Sequence, residues 1–196
     1  MKISQAKKII YNFFKSSISK AFPQYFKLTN NACSKLFWDR IKQQKPAKPY
    51  VMLTDANISK IYRRFETFVQ NGKQYVRKEM RLLVTFGVYT LKNSNNLSDA
   101  DALCSEIIEY IQDLFTETQT TFDILSSQGI TVNELESSEI RDLSQFSHTN
   151  QEFRKEIDIA FEYDDITTYT PELAEGLKVD ISVSQTDNSI EMEINK

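Results

Sequence analysis

Glycine is scarce. The 196 residues hold four, Gly72, Gly87, Gly129 and Gly176, and no two lie within ten positions of each other. Loops that cradle phosphate need several glycines close together, because only glycine takes the required backbone angles and lets a ligand approach the chain. A Walker loop, a dinucleotide-binding fingerprint and a glycine-rich kinase loop are therefore excluded. Histidine occurs once, at His148, and cysteine twice, at Cys33 and Cys104. A structural zinc site draws on several Cys and His ligands, so one chain cannot assemble it. Two distant cysteines do not make a disulfide framework. Both are read as buried, reduced thiols on apolar helical stripes, which fits a cytosolic place of synthesis. Long apolar runs are missing too: none approaches the roughly 18 residues of a membrane-spanning helix. The basic start, Met1 to Lys8, is not followed by an apolar run, and is not expected to be a secretory signal.

What is present is enough apolar material to fold. Hydrophobic residues make up 40% and aromatics 12%, which sets the chain apart from disordered tails. The net charge of −3 conceals a strong asymmetry: residues 1–90 hold 18 Lys+Arg and 4 Asp+Glu, residues 91–196 hold 6 and 23. Such a split fits neutralisation within one fold, pairing between subunits, or an outside anionic partner.

Periodicity supplies the elements. Ile3, Ala6, Ile10, Phe13, Phe14 and Ile18 recur at helical spacing and predict a helix over 4–21, ended by Pro23. Cys33, Leu36, Phe37, Arg40 and Ile41 predict a second helix, from Asn30 or Asn31 to about Lys42. Pro46 and Pro49 then mark a linker. Beyond it the period changes to two. Tyr50–Thr54 reads as a short strand, and Ile61, Phe65 and Val69 alternate before a hairpin turn at Asn71-Gly72. Tyr75–Thr90 is the longest strand, with Val76, Met80, Leu82, Val84, Phe86 and Val88 on one face and Arg77, Glu79 and Arg81 on the other. Leu83 and Tyr89 make its second half apolar on both faces. Gly87 inside it suggests a bulge or a close backbone approach. After a loop at Asn93–Asn96, Ser98 with Asp99 and Asp101 opens a helix to about Thr116. Thr121–Leu125 reads as a short strand before Gly129, and Ile130–Val132 as another. Residues 152–163 alternate, with Phe153, Ile157, Ile159, Phe161 and Tyr163 opposite Glu152, Arg154, Glu156, Asp158 and Glu162. Leu177–Val183 alternates again. The expected fold is α+β: an antiparallel or mixed sheet packed against one main helix, with an N-terminal helical appendage (1–45), a main domain (48–185) and a polar C-terminal tail (186–196).

Chemistry-bearing constellations are missing. His148 lies in a polar stretch with no nucleophile motif, and no GxSxG surrounds any serine. Asp99 and Asp101 are explained by helix capping. Asp164-Asp165 reads as a turn closing a strand, without the spacing of a calcium loop. Arg141-Asp142 is either a solvated pair or a clamp between this loop and a neighbour. Phe13, Phe14, Phe22, Tyr25, Phe26, Phe37 and Trp38 interleave with lysines, as in some nucleic-acid-binding modules, but their helical spacing favours core packing. No catalytic, cofactor-binding or metal-ligating residue is singled out, no cofactor is expected, and no enzyme activity is expected.

The order of elements resembles a known family. It is carried by Lys48-Pro49-Tyr50-Val51, the strand from Arg77 through Tyr89, Phe122-Asp123-Ile124-Leu125 with Gly129-Ile130, Ile140-Arg141-Asp142-Leu143, and the strand from Phe153 through Tyr163. This pattern, over roughly residues 48–185, resembles the neck or tail terminator (tail completion) proteins of tailed bacteriophages. The resemblance implies a structural virion protein with no enzymatic activity. It implies a homo-oligomeric ring, often a hexamer, that caps the tail tube, joins it to the head-side connector proteins and lets DNA pass. The alternative is a basic, aromatic nucleic-acid-binding module with an acidic half. The charge split suits a ring, since a head-to-tail interface joins two different patches. Lys7, Lys8, Lys15, Lys20, Lys42, Lys45 and Lys48 are expected to meet Glu134, Glu136, Glu139, Asp164, Asp165, Glu172 and Glu175 of an adjacent subunit or of a neighbouring virion protein.

Overall fold

The computed structural model describes residues 1–39, 45–60, 66–91, 97–146 and 151–168. Helix α1 spans Ile3–Ala21 and buries Ala6, Ile10, Phe14 and Ile18, the stripe that its spacing predicts. Strands β1 (Leu36–Trp38), β2 (Tyr50–Lys60), β3 (Glu66–Gln70) and β4 (Lys73–Leu91) follow, then helices α2 (Leu97–Thr116) and α3 (Gln119–Ser127). The chain continues through β5 (Ile130–Asn133), a 3₁₀ turn at Glu134–Glu136, β6 (Arg141–Asp142), β7 (Gln145–Phe146) and β8 (Gln151–Thr168). The eight strands form one sheet in the order β1-β2-β4-β8-β5, with β3 also on β4 and β6 and β7 also on β8. β1 pairs with β2 in parallel and every other pairing is antiparallel, so the sheet is mixed.

The centre of the sheet is the pair of long strands. β4 and β8 run in register from Tyr75↔Thr168 to Leu91↔Glu152, which sets Val84 beside Ile159 and Phe86 beside Ile157. Their apolar faces point the same way, as the alternation predicts, and α2 packs on both. α1 covers the same face beside α2. Phe14 meets Phe86 edge-on at 5.0 Å, and Phe115 of α2 lies 5.2 Å from Phe86 and 5.3 Å from Phe161. Residues 1–38 therefore do not stand apart from the sheet. α1 shares its core, and β1 extends it by one strand.

Three expectations from the sequence need correction, and Gly87 takes the second of its two readings, a close approach. Residues 30–38 do not form a helix. Asn30 and Asn31 both take the left-handed conformation (φ 51° and 60°) and close a tight turn in which Thr29 and Ala32 exchange backbone hydrogen bonds of 2.9 Å. Asparagine tolerates this region, and two in succession fit a type I′ turn. Leu36 and Phe37 are both buried, on opposite faces of β1, which imitates a helical stripe. Residues 121–125 are helical, not extended: Thr121 and Leu125, four apart, are the buried positions of α3, and Gly129 (φ 76°) lies just past its end. Asp164-Asp165 is not a turn, because β8 continues to Thr168 and pairs the two with Glu79 and Lys78. Gly87 carries no bulge: the irregularity lies in β2, between Asp55 and Asn57. Gly87 instead leaves room, since a Cβ there would stand 3.1 Å from the Tyr89 ring and 3.3 Å from Glu156 Oε1.

The hairpin signal at Asn71-Gly72 holds. Both residues have positive φ (52° and 71°) and join β3 to β4. The strand expected over Leu177–Val183, the tail 186–196, the loop at Asn93–Asn96, and Arg40, Ile41, Lys42, Ile61 and Phe65 lie outside the described residues.

Two substitutions test this core. Phe14→Ala removes a fully buried ring and leaves a cavity, and should cost about 3–5 kcal/mol. Val84→Asp places an unpaired carboxylate between β2 and β8 and should cost a similar ~3–5 kcal/mol. Urea denaturation measures both, and a loss below about 1 kcal/mol for either contradicts the packing.

Candidate assembly surface

The face of the sheet turned away from the helices carries the charge expected of it. Because β4 and β8 pair directly, their opposite charges meet within one chain. Arg81 Nη2 lies 3.2 Å from Glu162, and Arg77 Nη2 lies 2.7 Å from Asp164. Asn133 on β5 donates to the same Glu162 at 2.7 Å. These groups, with Gly129 and Thr131, line a polar groove of ≈ 390 Å³. Both cations among the described residues of the groove, Arg77 and Arg81, face a carboxylate of their own chain, and Glu79 leaves the described lining with one negative charge in excess.

Arg141 and Asp142 each find a separate partner. Arg141 donates two hydrogen bonds to Asp158, at 2.6 and 3.0 Å, while Thr85 donates a third at 2.6 Å. Asp142 accepts from the backbone N–H of Ser144 at 2.9 Å. The clamp therefore ties the 137–144 segment to β8 of the same chain. Burial alone would raise the Asp158 pKa, but the Arg141 and Thr85 hydrogen bonds outweigh it and hold the carboxyl below its usual range. A depressed folded-state pKa means stability that is present above the unfolded value and lost as pH falls through the folded one.

The other end of this face is aromatic. Phe37, Tyr50, Met52 and Tyr89 form a second buried cluster, with Tyr50 and Tyr89 stacked at 4.7 Å. The Arg154 guanidinium lies 5.1 Å from the Tyr89 ring and is held by Glu156. Burial pushes the Tyr89 phenol up to about 12, against the pull of Arg154. These groups saturate one another and leave no open stacking platform. The N-terminal aromatics behave alike: Phe14, Phe22, Phe26 and Phe37 are buried, while Phe13, Tyr25 and Trp38 are half-buried. They are packed in or against the core, although Phe37 and Trp38 reach it from a strand and not from the helix that their spacing predicts.

Among the described residues the chemistry-bearing groups are not gathered into a site. Among the described residues no group of three or more His, Cys, Asp or Glu is placed to hold a metal. His148 lies outside them. Asp101 pairs with Lys155 at 2.9 Å. Cys33 and Cys104 are free and buried, Cys104 within α2 and Cys33 in the turn before β1. Burial raises both thiols, Cys104 to about 11. Lys7 and Lys48 have intrachain partners in Asp55 and Glu152 and are not available to a neighbour.

What remains open is a charge-sorted helical layer, the sheet edges and a projecting arm. Residues 1–38 contain seven Lys and no Asp or Glu, whereas residues 93–140 contain ten Asp or Glu and no Lys or Arg. α1 contacts the β1 side, where Tyr11 Oη donates to the Leu36 carbonyl at 3.0 Å, and α3 packs on β5 at the other side. Lys2, Lys8, Lys20 and Lys27 are exposed, as are Glu106, Glu109, Asp113, Glu117 and Asp123. The layer thus runs from basic to acidic across the sheet. The first six residues of β4, with β3 and the end of β8, extend beyond the helix-covered core by about 20 Å. Val69 there is 72% exposed.

The α+β fold thus presents unlike exposed edges, one basic and one acidic. A family model of phage neck terminator proteins matches residues 16–188, and the chain belongs to that family, a component of the virion. None of the curated proteins matches the chain.

Asp158→Asn should cost about 1.5–3 kcal/mol at pH 7 by weakening charge-assisted bonds. The difference from the unsubstituted chain should begin to shrink as pH falls below about 4, the unfolded value, and be lost only as pH passes through the lower folded-state value. Denaturation curves at pH 7 and at a series of pH values descending from about 4 check both halves. The thiols offer a second test. At pH 8 the native chain should react negligibly with a disulfide reagent, and two thiols per chain should appear only on unfolding. Rapid labelling of either in the folded chain contradicts the burial.

Proposed function

We propose that this neck terminator protein forms a ring, a hexamer by its resemblance to other tail terminators, which caps the tail tube, joins it to the head-side connector and lets DNA pass through its centre. The observation that carries the reading is family membership over residues 16–188. The unlike edges of the molecule support it. A basic β1–α1 side and an acidic α2–α3 side form a head-to-tail pair with the next copy, and such contacts close into a ring when the rotation between copies permits. The function requires no turnover: the protein acts by occupying a position between two other virion proteins.

A second reading is favoured by one observation, the stretch of seven lysines without a carboxylate in residues 1–38. In that reading the chain binds nucleic acid directly. The buried state of the neighbouring aromatics counts against it, since single-strand binding relies on exposed rings for stacking.

Sedimentation of the purified chain with electron microscopy of the same sample separates the two. The ring reading expects closed particles of a fixed number of copies that bind the ends of isolated tail tubes. The alternative expects a monomer that shifts DNA, with affinity falling steeply between 50 and 200 mM salt, roughly 10³-fold or more for six or more phosphate contacts. A monomer at every concentration tested, with or without tail tubes, refutes the ring.

A further inference from the structure

Two features at opposite edges of the sheet match in shape and charge. The first is a projection. Leu135 is 97% exposed, in the 3₁₀ turn between β5 and β6. It sits in the sequence Glu134-Leu135-Glu136, and Glu134 is exposed with no ion pair among the described residues. Hydrogen bonds tie the turn down. Ser137 N–H donates to the Glu134 carbonyl at 3.1 Å, and the Ser138 N–H donates to the Asp158 carbonyl at 2.9 Å. A leucine held outward on an anchored turn exposes apolar area that none of the described residues covers.

The second is a groove of ≈ 780 Å³ between α1 and β1. Tyr11, Leu36, Phe37 and Trp38 give it apolar walls, and Lys7 and Lys8 lie along it. Lys7 is engaged by Asp55 and lies 5.5 Å from the Trp38 ring centroid. Lys8 is exposed and forms no ion pair among the described residues. The groove is therefore an apolar slot with, among the described residues, one uncommitted cation at its rim. Burying a leucine side chain in such a slot is favourable by about 1.5–3 kcal/mol, and a carboxylate beside it would meet the lysine.

We infer that the Glu134-Leu135-Glu136 turn of one copy docks in the α1–β1 groove of the next, Leu135 entering the slot and Glu134 pairing with Lys8. The inference rests on the ring reading and specifies its contact. The occupant is a second copy because the chain itself supplies both halves, on opposite edges of one sheet, where they cannot meet within a molecule. The same sorting holds across the helical layer, so contacts around the docked turn are also of opposite sign. Other acidic partners would match the lysine alone; the apolar slot with its rim cation matches the acid-flanked leucine.

The test compares full-length chains by sedimentation velocity over a range of concentrations, with thermal melting as a control for folding. The variants are Leu135→Asp, Lys8→Glu, Glu134→Lys and the double charge swap Lys8→Glu with Glu134→Lys. Each replaces a group at the contact, and the exposed positions should leave the melting temperature within about 2 °C. Each single variant should raise the concentration for half-assembly at least tenfold. The swap should recover most of the loss. Assembly of Leu135→Asp at the unsubstituted chain's concentration overturns the contact and leaves the ring reading standing. Loss with Leu135→Asp but not with Lys8→Glu, or a swap no better than its singles, also overturns it. An unsubstituted chain that stays monomeric overturns the contact and the ring together.

Discussion

The contact between Phe14 and Phe86 organises this molecule. It joins a helix at one end of the sequence to the middle strand of the sheet, and Phe115 and Phe161 complete the cluster from α2 and β8. Aromatic pairs in such edge and tilted arrangements add about 0.5–1.5 kcal/mol each beyond the area they bury. Four elements separated by up to 147 positions (Phe14 to Phe161) are thereby fixed against one another. The position of α1 follows from this, and with it the groove against β1. The helical layer also inherits its polarity, since α1 and α2 must lie side by side over the same strands. The charge asymmetry of the sequence becomes an asymmetry in space for that reason.

The sheet's other face explains why so much charge is consistent with a stable chain. Strand register sets Arg81 beside Glu162, and the Arg77 side chain reaches Asp164 along the pleat. Arg141 reaches back to Asp158 from the opposite edge. Exposed pairs of this kind contribute little singly, about 0–1 kcal/mol, but they remove these groups from competition for outside partners. The charges left over, on α1, α2, α3 and the 3₁₀ turn, are those the assembly reading uses.

The sequence announced the long strands because alternation over ten or more residues has no competing interpretation. The same is true of α1 and α2, whose apolar stripes repeat over four or more turns. It misled where local chemistry outweighed periodicity. Asn30-Asn31 forms a turn that breaks a helical-looking stripe, and the doubly buried Leu36-Phe37 completes the imitation. Thr120-Thr121 has strand-like composition inside a helix. Asp164-Asp165 looks like a turn but is held in the ladder by Arg77 and by β4. Of the assembly surface, the charge split was readable, but its spatial form was not. Lys7 and Lys48 count as free cations in a sequence, and only the fold shows Asp55 and Glu152 beside them. Leu135 gave no signal, since one leucine between two glutamates is unremarkable until the turn that exposes it is known.

The central claim is that the chain works as one unit of a ring in which unlike edges meet. The most direct measurement is an electron-microscopy reconstruction of the assembled protein at a resolution that places helices. The account predicts that every subunit contact sets the β1–α1 edge of one copy against the β5 and 3₁₀-turn edge of the next, repeated around a closed ring. A ring built from two-fold contacts, with β1 edge against β1 edge, would contradict it.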